Sequence, residues 1–304
     1  MPEPISPPPG DGTETFSPAD LRAFDPDNDP NCVLGRRWLC KGGSLMIVGN
    51  SGTGKSSLMT QFAIRWAVGK DAFGIKPKEP LKSVIVQAEN DFGDVAEAYQ
   101  GAVNGAKLTM SEIELLDQNL AIVRNGSAIG SKFAPFIKDL IVKHSASIIY
   151  CDPLLSYAGF EIADQAATSE FLRHQIDPVL RETGCILVFM HHTAKPKPAS
   201  ETEGQTNAAL AYTGAGSAEW VNYSRECAAL VRCPGDEPVY KFILTKRRSR
   251  AGMRDTFGDF KGEILIRHSR QEGVIAWEYA TAEETSSQGN PDSRPAKGSP
   301  RRFA

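Results

Sequence analysis

From about residue 40 to residue 280, short continuously apolar runs alternate with longer stretches whose apolar residues recur every three or four positions. The runs at residues 44–48, 84–86, 120–123, 148–151 and 185–190 predict five strands. Apolar character at every position, without alternation, is what a parallel sheet covered on both faces demands. Leu58, Phe62 and Trp66 share one face of a predicted helix after the first run, and Val95, Ala98, Tyr99 and Ala102 share a face over residues 91–102. Phe133, Phe136, Ile137, Leu140 and Ile141 mark a third amphipathic helix. Phe171, Leu172, Val179 and Leu180 mark a fourth, with a kink expected at Pro178. After about residue 225 the spacing tightens, and runs at 228–231, 239–244, 263–266 and 274–277 predict an antiparallel extension of the same sheet. The expected fold is α/β: a mostly parallel sheet with helices on both faces and antiparallel strands at the C-terminal end.

The ends read differently. Residues 1–30 are rich in Pro, Asp and Ser, and residues 285–304 carry Arg294, Lys297, Arg301 and Arg302 with few apolar groups. Both are expected to be disordered, the second as a basic tail, which leaves 31–284 as one domain. A net charge of −3 over 304 residues excludes a polycation that coats nucleic acid, so any such contact needs a local patch. The six cysteines form no C-x-x-C pair, and Cys151 and Cys185 fall in apolar strand runs, which points to reduced thiols. No apolar run is long enough to span a membrane, and no secretory signal opens the chain, so a cytoplasmic protein without membrane contact is expected.

Chemistry enters at the end of the first predicted strand. Gly49-Asn50-Ser51-Gly52-Thr53-Gly54-Lys55-Ser56 fits G-x-x-x-x-G-K-[ST], set between a strand and a helix as a phosphate-binding P-loop requires. The glycines let backbone N–H groups close around phosphates, and the helix directs its positive dipole end at the same anion. Lys55 is expected to reach the β- and γ-phosphates of ATP, and the Ser56 hydroxyl to ligate Mg²⁺. Ser57 completes the expected nucleotide-binding set.

Other strand ends supply partners. The run 148–151 ends in Asp152, placed to hold the magnesium shell as a Walker B aspartate does. The run 84–86 leads to Glu89, where a carboxylate can polarise water for attack on the γ-phosphate. Asp91 competes for that role but reads better as the N-cap of the next helix. The fifth strand ends in His191-His192-Thr193, and His192 is expected to sense the γ-phosphate. A cationic run, Lys246-Arg247-Arg248-Ser249-Arg250, follows the strand at 239–244, and such groups can stabilise transition-state charge in a neighbour's site.

With these elements in this order, the chain resembles RecA-type ATPases, and within them the RepA-type branch of hexameric replicative helicases. The resemblance covers residues 38–270 and rests on the P-loop, Ala88-Glu89-Asn90, Asp152, His191-His192-Thr193-Ala194-Lys195 and Gly214-Ala215-Gly216-Ser217-Ala218. Asn90 departs from the acid usual in that family. The resemblance implies a RecA-like fold, a hexameric ring of identical subunits, single-stranded DNA as partner, and Lys246 and Arg248 as groups inserted into the adjacent subunit's site. It also implies that the loop 194–214 faces DNA, through Lys195 and Lys197, which Glu201 and Glu203 balance. Two other readings stay open: an ATP-gated regulatory or DNA-binding oligomer that does not translocate, and a recombinase-like filament.

Overall fold

A computed structural model describes residues 14–192 and 216–285. Its centre is a nine-stranded sheet, accompanied by a two-stranded ribbon of β1 (Cys32–Leu34) and β2 (Leu39–Cys40). In chain order the sheet contains β3 (Ser44–Gly49), β4 (Ser83–Gln87), β5 (Leu120–Arg124), β6 (Ile148–Asp152) and β7 (Ile186–His192). It then takes in β8 (Glu226–Arg232), β9 (Val239–Leu244), β10 (Glu263–His268) and β11 (Trp277–Tyr279). Spatial order is β11-β10-β9-β8-β3-β7-β6-β4-β5. The six strands from β8 to β5 pair in parallel, and β9, β10 and β11 extend the sheet antiparallel.

The apolar runs are thus the strands, and their burial explains the missing alternation. Every residue of β3 is buried, with Leu45 and Ile47 on one face and Met46 and Val48 on the other. The first face packs on α2 (Lys55–Ala67) through Leu58, Phe62 and Trp66. The second packs on α5 (Phe133–His144), whose Phe133, Ile137 and Ile141 were legible from their spacing. Between these lie α3 (Phe92–Ala106) and α4 (Met110–Asn119), the latter closed by a reciprocal capping box of Thr109 and Glu112. Sequence periodicity did not predict α4, because only Leu116 of it is buried.

Three expectations change. The N-terminal segment is not featureless among the described residues: α1 (Pro18–Ala23) is capped by Ser17, and Asp27 and Asp29 pair with Arg36 and Arg37. The fourth helix is not one α-helix: a π-helical segment, Glu170–Ile176, joins α6 (Gln165–Ser169) to α7 (Asp177–Thr183), and Pro178 stands at the second position of α7. The last strand falls at Trp277–Tyr279, not at 274–277.

Antiparallel pairing also sets where the cationic run sits. Leu244 faces Ala228, and the Thr245 N–H donates to the Cys227 carbonyl. Residues 245–250 therefore lie beyond the N-terminal ends of the parallel strands, at the opposite edge of the sheet from the P-loop. A short helix, α8 (Glu219–Tyr223), precedes β8, and α9 (Arg248–Ala251) follows β9.

Candidate nucleotide-binding site

The loop between β3 and α2 spans Asn50 to Gly54, and Gly54 is the N-cap of α2 in the left-handed region, with φ 84° and ψ 25°. No side chain caps this helix, so its first N–H groups point at whatever occupies the loop. Lys55 is almost fully buried, and its Nζ donates to the carbonyls of Gly49 at 2.8 Å and Asn50 at 2.7 Å. Burial pushes its pKa down to about 8, opposed by the charge of Asp152. Thr53 Oγ1 donates back to the Asn50 carbonyl at 2.9 Å, which ties the loop across its mouth.

Parallel pairing delivers the other candidates to the same crest. His192 at the end of β7 is in register with Gly49, and its Nδ1 lies 3.3 Å from Lys55 Nζ. An ammonium can only donate, so Nδ1 accepts and the imidazole proton sits on Nε2. Burial, then the Lys55 charge, hold the His192 pKa below its ordinary value. Asp152 at the end of β6 is in register with Gln87 of β4. Burial raises its pKa, while a hydrogen bond from Ser56 and the charge of Lys55 pull the other way. Glu89, two residues beyond β4, is exposed and accepts a hydrogen bond from Ser156 Oγ at 3.2 Å. Asp91 accepts from the Asp94 N–H at 2.9 Å as the N-cap of α3, the role its spacing suggested.

One hydroxyl, on Ser56, and one carboxylate, on Asp152, share a hydrogen bond at the helix start. Hard oxygen donors of this number suit Mg²⁺, which keeps several waters and shares its shell with phosphate oxygens. Among the described residues no group of three or more His, Cys, Asp or Glu is placed to hold a metal ion.

The structure does not bring the cationic run to this crest. Within its own subunit Lys246 donates to the carbonyls of Val221 and Ser224, each at 2.7 Å. Arg247 bonds the carbonyls of Arg37 and Trp38 and lies 3.5 Å from buried Glu226. Arg248 and Arg250 are exposed. Thr193, Lys195 and Lys197, with Gly214 and Ala215 of the glycine-rich turn, lie outside the described residues.

The site also has a wall that sequence reasoning missed. Trp277 Nε1 donates to Ser57 Oγ at 3.0 Å and to the Gly54 carbonyl at 3.3 Å. The His268 ring lies against Trp277, with ring centroids 3.9 Å apart and the planes tilted by 39°. Nothing local to residues 268 and 277 signals this contact, because the antiparallel pairing of β10 and β11 makes it.

A family model described as an AAA domain matches residues 13–198. No curated protein matches the sequence. Among solved structures, the chain is similar to a KaiC-like protein from the hyperthermophilic archaeon Pyrococcus horikoshii OT3, with a TM-score of 0.50 and 15% identity. That alignment covers 79% of this chain and 91% of the other, a likeness of fold. Among the described residues no helix is long and apolar enough to cross a membrane.

Proposed function

The chain belongs to the AAA domain family and has a RecA-like P-loop ATPase fold, and from that premise we propose that it hydrolyses ATP as a ring of identical subunits acting on single-stranded DNA. The observation that carries the hydrolysis is the convergence of Lys55, Ser56, Glu89, Asp152 and His192 from the ends of four neighbouring strands.

The backbone N–H groups at the start of α2 bind the phosphates, and Lys55 exchanges its two carbonyl partners for phosphate oxygens. Ser56 and Asp152 would hold a magnesium ion, which would neutralise charge on the β- and γ-phosphates. Glu89 accepts a proton from the attacking water, and Ser156 fixes the carboxylate's direction. His192, neutral and carrying its proton on Nε2, donates to the γ-phosphate and so registers its presence. Its Nδ1 contact with Lys55 links that sensing to the loop.

Arg248 and Arg250 lie at the far edge of the sheet from their own P-loop, so they can reach a nucleotide only in a neighbouring subunit. That position, together with the resemblance to RepA-type helicases, supports the ring. Lys195 and Lys197, in the segment after β7, are assigned to DNA on the same resemblance.

Glu89→Gln tests the hydrolytic assignment. Nucleotide affinity should be kept while turnover falls by a factor of about 10² to 10⁴. Asp91→Asn should leave turnover near that of the parent. Normal turnover in the first variant and none in the second would transfer the base to Asp91.

A further inference from the structure

The P-loop carries every residue needed to bind phosphate, yet its last glycine is gripped by residues more than two hundred positions away. The Trp277 indole N–H meets both the Gly54 carbonyl and the Ser57 hydroxyl, and Ser57 Oγ itself donates to the Gly54 carbonyl at 2.8 Å. These three groups form a closed triangle around the peptide that joins Gly54 to Lys55. On the same glycine, a Cβ would fall 2.4 Å from His268 Cε1 and 2.8 Å from Trp277 Cζ2. Two aromatic rings therefore lie directly on the loop.

The wall is itself held in place. The buried amide of Gln61, two turns along α2, makes both hydrogen bonds that a neighbouring strand would make to Trp277: Nε2 to its carbonyl at 3.0 Å, and Oε1 from its N–H at 2.6 Å. β11 is the edge strand on that side of the sheet, paired only with β10 among the described strands. Gln61 straps that edge to the P-loop helix, and Tyr240 of β9 packs against both His268 and Trp277 from beneath. Core packing alone would not require the indole N–H to face the loop: Trp277 is 3% exposed, and phenylalanine would fill most of the same space.

We propose that Trp277 is a positioning residue of the nucleotide site, and that through its N–H the C-terminal edge of the sheet holds the Gly54–Lys55 peptide in the conformation that binds phosphate. His268 confines the same peptide sterically. This rests on the reading of the loop as a nucleotide site. Phosphate draws the N–H groups of the loop inward, and a carbonyl at Gly54 pinned from outside keeps that peptide from flipping. The contact is made to ground state and transition state alike, so its loss weakens binding and leaves turnover of the bound complex nearly unchanged.

The test compares the full-length protein with Trp277→Phe, which keeps an aromatic ring and removes the donor. ADP and ATP affinities are measured by calorimetry, steady-state hydrolysis gives kcat and KM, and thermal unfolding is followed without nucleotide. Absence of nucleotide binding by the unsubstituted protein would refute the site reading itself. If it binds, Trp277→Phe should raise Kd and KM roughly three- to thirtyfold, the range expected for one or two lost hydrogen bonds, with kcat within about twofold. Ser57→Ala should produce a similar loss and Ser57→Thr should restore affinity. The double variant Trp277→Phe with Ser57→Ala should be no worse than the poorer single one, because both remove the same triangle. Unchanged Kd in Trp277→Phe overturns the proposal and leaves Trp277 a packing residue. Strictly multiplicative losses in the double variant overturn it as well. Should Trp277→Phe fail to fold, the Ser57 pair decides: equal affinities for nucleotide in Ser57→Ala and Ser57→Thr would refute the clamp.

Discussion

Gly54→Ala should be among the most destabilising single-methyl additions available to this protein. Gly54 lies at φ 84°, a region that costs an L-residue with a side chain about 1–2 kcal/mol. The added methyl would sit 2.4 Å from Cε1 and 2.6 Å from Nε2 of His268, and 2.8 Å from Trp277 Cζ2. These are atoms of two rings packed against each other, with Tyr240 edge-on to both, so they cannot swing away as the end of a flexible chain would. Overpacking of this kind costs about 1–3 kcal/mol. Together the two effects give about 2–5 kcal/mol, a large part of the roughly 5–15 kcal/mol that holds a typical domain folded. In a domain of this size the thermal midpoint should fall by roughly 5–15 °C. Urea unfolding of the full chain, with slopes compared to check two-state behaviour, measures the cost directly. A second background separates the two parts. In His268→Ala the nearest ring is gone but the backbone strain remains, so Gly54→Ala should cost about 1 kcal/mol less there. A cost below about 1 kcal/mol in the parent, or an equal cost in both backgrounds, would refute the view that the C-terminal strands press on the loop.

Other expectations concern charge and assembly. The unliganded Lys55 pKa of about 8 lies below the value that phosphate oxygens should restore, so between the two the complex holds the extra proton. ADP affinity should therefore fall as pH rises past 8, by up to about tenfold per unit, and calorimetry in buffers of different ionisation enthalpy should show proton uptake; zero uptake at pH 9 would contradict the assignment. Arg248→Ala should lose hydrolysis while keeping affinity at its own site, and mixing with Lys55→Ala subunits should restore part of the activity; no recovery in rings shown to exchange subunits argues against a shared site. Single-stranded DNA should raise the hydrolysis rate, less so as salt increases, and Lys195→Ala with Lys197→Ala should remove the stimulation but not the basal rate. If DNA has no effect at low salt on an assembled ring, the regulatory reading replaces the motor.

Part of this architecture is written in short stretches of chain. Continuously apolar runs predicted the central strands because residues buried on both faces of a sheet have no solvent side to mark. The P-loop was legible because its chemistry needs consecutive residues, glycines for the backbone and Lys55 and Ser56 for the phosphates. Asp91 as a cap and Glu89 as the candidate base were separable because capping follows local spacing.

What the sequence by itself determined is therefore the central strands and the helices with a broad buried face, the α/β fold class and the phosphate-binding loop, all of which depend on neighbours within a turn or a strand. Tertiary structure alone decided the strand order, and with it that β7 lies between β3 and β6, so that His192 meets Lys55. It also decided that β9 runs back, which carries Lys246 to carbonyls at the far edge and leaves Arg248 and Arg250 exposed there. The same antiparallel return lays His268 and Trp277 on Gly54, a contact across 223 residues of chain that no periodicity encodes. The physical reason is common to all three. Pairing between strands is fixed by hydrogen bonds and burial summed over the whole sheet, and a residue's own neighbours carry no record of which distant strand will lie beside it.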